Sequence, residues 1–273
     1  MKDSLLKCAA FRSEEVTACS PAGRLSARVV RPECLSGAPP LVVLHGISRN
    51  AADLARLFAP EAARSGRALI VPYFKASAWP VFQRPCKAAR PDQALLALLD
   101  KIASDIPEMA GPVDIFGHSG GAQLAHRVGM LYPHRVACLH LAAAGWYCLP
   151  NDEMPYPYGL ATPGDTAQQV WVRRMKAGLR DYLRLPMHVY VGSEDVTRDP
   201  ALRMSRMLDK GQGLNRLARA QRFVGAVNAA AGAADLASPA RLIELPGCDH
   251  DVVKAITHND LAARIVDARS MSD

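Results

Sequence analysis

The sequence predicts an α/β fold with a mostly parallel central sheet and helices on both of its faces. Short strand-like segments alternate with amphipathic segments along the chain, which is the pattern of strands joined by helical crossovers. The segments 113–116 and 136–142 are typical of the continuously buried central strands of a parallel sheet. The chain has 273 residues, of which 49% are hydrophobic, so we expect a single domain over residues 1–273.

This alternation gives the positions of the individual elements. Strands are predicted at Ala27–Arg31, Pro40–Leu44, Ala68–Pro72, Val113–Phe116, Val136–Ala142, Met187–Val191 and Arg241–Leu245. Helices are predicted at Ala52–Ser65, Pro91–Ser104, Ala122–Leu131, Pro200–Leu208, Leu214–Ala230 and Asp251–Ala268. Pro91 and Asp92 favour a helix start, because proline is tolerated in the first turn and an acidic side chain suits the positive end of the helix.

Composition and charge argue against several classes of protein. No apolar run approaches the ~18 residues that a membrane span needs, and the start Met1–Cys8 lacks the apolar core of a signal peptide. The net charge is +7, but the basic residues are not interleaved with aromatic residues, so no nucleic-acid-binding surface is predicted. We therefore expect a soluble, cytoplasmic protein with no membrane span.

The cysteines do not indicate a metal site or a disulfide framework. There are seven of them, an odd number, and they are scattered without a Cys-x-x-Cys motif or a Cys/His cluster. Cys138 lies in an apolar segment, where we expect it to behave as a small hydrophobic residue. Helix capping and solvation explain the group Asp249, His250, Asp251 and His258 more simply than a metal does. The sequence therefore predicts reduced thiols, no metal and no cofactor.

One long segment, residues 145–185, interrupts the alternation. It contains several prolines and the aromatic residues Trp146, Tyr147, Tyr156, Tyr158 and Trp171. It is too long for a plain connection between two elements. We predict a small lid or pocket wall that binds an apolar or aromatic group of a small-molecule ligand. The alternative is a surface excursion that packs its own aromatic side chains.

The most informative motif is Gly-x-Ser-x-Gly at 117–121. It follows a strand-like segment and precedes a helix-forming run, which is the context of a nucleophile elbow. At such a turn the serine is held in a strained backbone conformation, with its hydroxyl clear of the sheet. The flanking glycines, Gly117 and Gly121, are needed because a Cβ there would collide with a neighbouring element. Ser119 is therefore the predicted nucleophile.

A serine hydroxyl needs a base, usually an imidazole held by a carboxylate, and in this kind of fold the order is serine, acid, histidine. Gly-Ser-Glu-Asp at 192–195 follows a predicted strand and presents Asp195, the predicted acid. Glu194 and Asp199 are its competitors, the former expected to face solvent and the latter to cap a helix near Pro200.

The predicted base is His250, which lies in a glycine-bearing turn between a strand and a helix. The carboxyl ends of parallel strands meet at one edge of a sheet, so this turn, the acid loop and the serine should come together there. The histidines His134, His140, His188 and His258 lie in a surface turn, in strands or in a helix, where a histidine is usually structural.

The remaining component is an oxyanion hole, two backbone N–H groups that point at the charge developing on a carbonyl. The amide of Gly120, directly after the nucleophile, is one predicted donor. The other is the amide of Ile47, since Gly46 allows a sharp turn after the strand that ends at Leu44. We interpret His45 as structural, anchoring this loop.

Over residues 27–268 the chain resembles the α/β-hydrolase family. The resemblance depends on Leu-His-Gly at 44–46, Gly-His-Ser-Gly-Gly at 117–121, Gly-Ser-Glu-Asp at 192–195 and Gly-Cys-Asp-His at 247–250. Within the family it is most similar to the esterase-like branch related to polyhydroxyalkanoate depolymerases and feruloyl esterases. Those relatives are often secreted and disulfide-bonded, and neither feature is visible here, which argues against a polymeric extracellular substrate.

The resemblance and the catalytic set imply a serine hydrolase that cleaves a small-molecule carboxylic ester through an acyl-enzyme intermediate. Amide or peptide cleavage, acyl transfer and thioester hydrolysis remain open, because they use similar residues on the same fold. A non-catalytic ligand-binding protein of the same fold is the alternative from another class.

Overall fold

The computed structural model describes residues 11–162 and 166–268, so the start Met1–Cys8 lies outside the described residues. In chain order the strands are β1 Phe11–Ser20, β2 Gly23–Pro32, β3 Leu41–Leu44, β4 Leu69–Tyr73, β5 Val113–His118, β6 Val136–Ala142, β7 Met187–Gly192 and β8 Ala240–Leu245. These described strands form one eight-stranded sheet in the order β1-β2-β4-β3-β5-β6-β7-β8. The first two strands are antiparallel to their neighbours, and all pairs from β4 to β8 are parallel.

Helices connect the parallel strands. Within the described residues they are α1 Ala51–Ser65, α2 Pro91–Asp105, α3 Gly120–Leu131, α4 Thr166–Ala177, α5 Leu179–Tyr182, α6 Arg206–Gln212, α7 Arg216–Ala233, α8 Val252–Asn259 and α9 Leu261–Val266. In the part of the chain that the structure describes, none of these helices combines the length and the apolar character required to cross a membrane.

The hydrophobic core has two parts, one on each face of the sheet. On one face α1, α8 and α9 pack against side chains such as Phe116 and Tyr190. On the other face α2, α3 and α7 pack against residues that include Ile115 and Leu139. Successive residues of a strand point to opposite faces, so buried strands supply both cores. The predicted fold class, a mostly parallel sheet covered by helices on both faces, is confirmed.

Sequence analysis missed the first strand. β1 pairs with β2 along its whole length, from Phe11 opposite Pro32 to Ser20 opposite Gly23. The first five residues of β1 are exposed, because β1 is the edge strand of the sheet and carries charged side chains there. Charged edge strands resist pairing with other chains, but their polar sequence lacks the apolar pattern by which central strands are recognised.

The helix predicted at Pro200–Leu208 is wrong at its start. The observed α6 begins at Arg206, and the hydroxyl of Ser205 accepts a hydrogen bond from the Leu208 amide as its cap. In the preceding segment the carbonyl of Arg203 accepts from the buried Arg219 guanidinium instead of from a helical amide. A tertiary contact therefore takes the acceptor that a longer helix needs.

The helix predicted at Asp251–Ala268 is two helices. Asp260 has a φ of 53° in the left-handed region and separates α8 from α9. A residue in that conformation ends a helix, and aspartate adopts it more readily than most other residues. The break lets α9 change direction and pack against α1.

In the segment 145–185 the structure describes all residues except 163–165, and it contains α4 and α5, which pack near α3. Its six aromatic side chains, the five named above and Tyr182, are all buried, with 0–8% of their surface exposed. Tyr147 stacks on Phe223 with 4.2 Å between ring centroids, and Trp146 packs edge-on against Tyr158. The rings therefore pack against one another and against α7, and the lid or pocket wall stays a prediction.

Candidate active site

Ser119 lies at a sharp turn between β5 and α3. Its backbone angles are φ 52° and ψ −112°, a conformation that side-chain-bearing residues rarely adopt. Two hydrogen bonds hold the turn, from the Ser119 amide to the Ala142 carbonyl at 2.8 Å and from the Gln123 amide to the Ser119 carbonyl at 3.2 Å. Strain at a position fixed in this way is typical of a functional site.

The glycines around Ser119 are required by close backbone approach. A Cβ built on Gly121 would lie 2.3 Å from the Leu44 carbonyl oxygen, and one on Gly117 would lie 2.4 Å from the Gly121 backbone. Real Cβ atoms do not come so near to backbone atoms, so no other residue fits without movement of β3 or α3. The steric reason given for the two glycines in the sequence analysis therefore holds in the structure.

The structure brings the predicted nucleophile, base and acid together. Ser119 Oγ is 3.2 Å from His250 Nε2, within the reach of a hydrogen bond that the hydroxyl donates. His250 Nδ1 is 2.9 Å from Asp195 Oδ2 and donates to it. One carboxylate therefore orients the imidazole, and the other ring nitrogen faces the hydroxyl.

The loops that carry the acid and the base are built against each other. A Cβ on Gly192 would lie 2.0 Å from the Cys248 carbonyl oxygen, so the end of β7 touches the histidine loop directly. The amide of Glu194 donates to that carbonyl at 2.9 Å. Asp251 caps α8 by accepting from the Val253 and Lys254 amides, which fixes the chain just after the base.

The two competing acids lie elsewhere. Glu194 is exposed to solvent, as expected. Asp199 does not cap a helix at Pro200; instead it accepts from the Ala201 and Leu202 amides in a turn. It also pairs with Arg216, at 2.5 Å between Nη1 and Oδ2.

Arg216 is the site residue that sequence analysis missed. It is the first residue of α7 and is 1% exposed. Its Nη1 is 3.3 Å from the free oxygen of the Asp195 carboxylate, the oxygen that does not face His250. The guanidinium thus lies between Asp195 and Asp199. Its hydrogen bond holds the pKa of Asp199 down at about 2.

Two further histidines support the site in their neutral forms. His118 is buried beside His250, with 4.9 Å between ring centroids, and burial holds its pKa well below the usual range. Burial likewise lowers the pKa of His45 to about 4. The neutral His45 ring donates from Nδ1 to the Gly46 carbonyl and accepts at Nε2 from the Phe74 amide. His45 therefore anchors the loop as predicted.

The two predicted oxyanion donors lie next to each other. A Cβ on Gly120 would lie 3.1 Å from the Ile47 side chain, so the loop after β3 and the start of α3 are in contact. A turn closed by the Arg49 amide and the Gly46 carbonyl presents Ile47, whose side chain is 47% exposed. Among the described residues neither the Ile47 amide nor the Gly120 amide donates to a protein acceptor.

A parallel sheet between two helical layers, with a serine at a strained strand-to-helix turn, defines the class: the chain has the α/β-hydrolase fold. No protein-family model matches the sequence, and no curated protein matches it by sequence comparison. Solved structures do match, over nearly the whole chain.

A poly(3-hydroxybutyrate) depolymerase from Bordetella parapertussis has 25% identity and a TM-score of 0.72, with 96% of both chains covered. A poly(aspartic acid) hydrolase from Sphingomonas sp. KT-1 has 22% identity and a TM-score of 0.75, covering 92% of this chain and 97% of that chain. A fluorophosphonate-binding serine hydrolase from Staphylococcus aureus has 14% identity and a TM-score of 0.61, covering 94% and 98%. The predicted resemblance to the α/β-hydrolase family is confirmed in the fold, and a depolymerase of the predicted kind is among these neighbours.

Proposed function

We propose that the protein hydrolyses a carboxylic ester in two steps through an acyl-enzyme at Ser119. The observation that carries the proposal is the continuous line of contacts from Ser119 Oγ through His250 to Asp195, at 3.2 and 2.9 Å. These distances allow proton transfer from the hydroxyl to the imidazole as the oxygen attacks a carbonyl. The carboxylate keeps the second ring nitrogen protonated and stabilises the imidazolium that forms.

In the first step, the new bond joins Ser119 Oγ to the ester carbonyl carbon, and the carbonyl oxygen gains the negative charge. In this proposal the amides of Ile47 and Gly120 donate to that oxygen. Each such donor stabilises the transition state by about 3–4 kcal/mol in enzymes where it has been removed. The tetrahedral species then expels the alcohol, which takes the proton from His250.

In the second step, water attacks the acyl-enzyme while His250 again accepts a proton. The acid product leaves, and Ser119 regains its hydrogen. Access of water to the acyl group separates hydrolysis from acyl transfer, which the same residues support. Products formed in the presence of a competing alcohol distinguish the two: only a transferase converts most of the acyl group to the new ester.

The substitution Ser119→Ala tests the proposal. It should lower kcat for a short-chain p-nitrophenyl ester by roughly 10⁴- to 10⁶-fold while the circular dichroism spectrum and melting temperature stay near those of the parent. Ser65→Ala, which changes a serine at the end of α1, is the control and should keep full activity. Turnover that is unchanged in Ser119→Ala refutes the assignment of the nucleophile.

A fluorophosphonate probe separates the enzyme from a non-catalytic binding protein. The probe labels an activated serine, so it should label the parent protein once and leave Ser119→Ala unlabelled. A protein that only binds ligands would resist labelling although its fold is intact. The class of bond that the protein cleaves is determined by comparing turnover of an ester, a thioester and an amide that carry the same acyl group. We expect the ester to react faster than the amide.

A further inference from the structure

Strand pairing brings together three metal-binding side chains outside the candidate active site. Cys138 and His140 are two residues apart on β6 and share one face of the sheet. His188 is the direct neighbour of His140 on β7. One ligand atom from each of the three lies within 4.8 Å of the others. Sequence analysis found no Cys/His cluster, because the third residue comes from a strand almost fifty positions away in the chain.

These three side chains lie in the interior of the protein, next to a cavity. Cys138 and His140 are buried, and His188 is half-buried. The Nδ1 atom of His188 is shielded from solvent and makes no hydrogen bond within the described residues. A buried nitrogen without a partner destabilises a fold, so its retention calls for an explanation. A cavity of about 630 Å³ is lined by Cys138 and His188 and gives access to them.

A neighbouring tyrosine orients one of the imidazoles. The Nδ1 atom of His140 lies 3.4 Å from the Tyr190 hydroxyl. With the hydrogen on Nδ1, the ring nitrogen that carries the lone pair a metal ion needs is Nε2. Imidazole ligands of metals usually donate their second N–H to such a partner, which fixes the tautomer and the ring orientation.

We propose that Cys138, His140 and His188 form a binding site for a zinc-type divalent cation. One sulfur and two imidazole nitrogens are the donors that Zn²⁺ prefers, and three protein ligands with an open fourth position are a common zinc arrangement. On binding, the Cys138 thiol loses its proton to the buffer, and the sulfur, two nitrogens and one exogenous ligand each donate an electron pair to the ion. No oxidation or reduction takes place.

The charge around the site favours an anionic fourth ligand. The bound ion and one thiolate carry a net positive charge, and the guanidinium of Arg241 lines the same cavity. A hydroxide or chloride ion in the cavity would balance this charge better than neutral water does. Hard cations such as Mg²⁺ prefer oxygen ligands and should not bind here.

The site connects two strands that position the candidate active site. β6 ends at Ala142, whose carbonyl accepts from the Ser119 amide, and β7 leads into the loop of Asp195. A metal ion between β6 and β7 would therefore stabilise the sheet beneath the active site without contact with the substrate. Its presence does not depend on hydrolysis, so the two proposals fail separately.

The test uses a Cys19→Ser/Cys34→Ser background, because these two exposed thiols would bind zinc on their own. After treatment with a chelator and dialysis, the protein should take up one equivalent of Zn²⁺ in competition with a chromophoric chelator. Uptake should release protons and raise the melting temperature. Co²⁺ should give the charge-transfer absorption of a thiolate-bound ion, and Mg²⁺ should change nothing.

His188→Gln and Cys138→Ser should each weaken zinc binding by at least about tenfold, and Cys138→Ser should abolish the cobalt charge-transfer band. His188→Gln changes a half-buried residue at the cavity. It decides the test if Cys138→Ser does not fold. Ser119→Ala should bind zinc as the background does. The proposal is wrong if no equivalent is bound, or if His188→Gln binds as tightly as the background.

Discussion

Arg216 offers a sharp test of how the site holds its acid. The guanidinium is buried and contacts the Asp195 carboxylate on the oxygen opposite to His250. It supplies the positive charge that offsets the removal of this carboxylate from water. Replacing it by a neutral side chain in Arg216→Gln should therefore destabilise the fold and lower kcat for an ester substrate.

The contacts set the size of the loss. Both side chains are 1% exposed, and removal of one partner of a buried ion pair destabilises a fold by about 3–5 kcal/mol. The distance from Arg216 Nη1 to Asp195 Oδ1 is 3.3 Å, which is long for a charged pair. We therefore expect Arg216→Gln to lower the free energy of unfolding by about 3 kcal/mol, the lower end of this range.

The assays are urea unfolding and kcat for a short-chain ester. Arg216→Lys is the control, since it keeps the charge and loses the bidentate contact to Asp199. It should lose less stability than Arg216→Gln. The reasoning is refuted if Arg216→Gln unfolds like the parent protein, or if both variants lose stability equally.

Four further substitutions test other parts of the structure. Gly121→Ala should destabilise the fold by more than about 3 kcal/mol, because the added Cβ meets the Leu44 carbonyl. Gly225→Ala adds a Cβ in open space on α7 and should stabilise the fold by up to about 1 kcal/mol. Thermal unfolding measures both effects. Because the pKa of His45 is lowered to about 4, the unfolded chain takes up the proton first, so stability falls as pH decreases from 6.5 toward 4. Urea unfolding of His45→Asn should show a shallower decrease. The exposed Arg203 guanidinium lies 5.9 Å from the Trp146 ring and 5.7 Å from the Tyr158 ring, so Arg203→Gln should lower the free energy of unfolding by about 0.5–1 kcal/mol in urea unfolding.

The sequence is sufficient to predict the parts of the site that depend on local patterns. Ser119 is recognised from two glycines at fixed spacing, because Gly117 packs against the backbone of Gly121 and Gly121 packs against the end of β3. His250 and Asp195 follow from the rule that parallel strands end at one edge. Each of these inferences needs only the order of strands along the chain, and the structure places all three side chains in contact.

Features that depend on tertiary packing were not predictable in this way. Arg216 reaches Asp195 across 21 positions of the sequence and looks like any basic residue at a helix start. The error at Pro200–Leu208 has the same origin, since the carbonyl that a helix would need binds Arg219. The cluster of Cys138 with His188 arises from the pairing of β6 with β7, which no spacing in the sequence reveals.

The groups around Asp195 explain how its carboxylate can be buried. Asp195 is 2% exposed, and a carboxylate removed from water destabilises the fold unless other groups supply hydrogen bonds and opposite charge. His250 and Arg216 supply them on the two oxygens separately, and Asp199 in turn holds the guanidinium at 2.5 Å. Because the imidazole therefore has a fixed anion on one side, its other nitrogen stays directed at Ser119 Oγ. Asparagine at position 199 can still accept from the Ala201 and Leu202 amides, so Asp199→Asn combined with Arg216→Gln should lower the free energy of unfolding little further than Arg216→Gln alone.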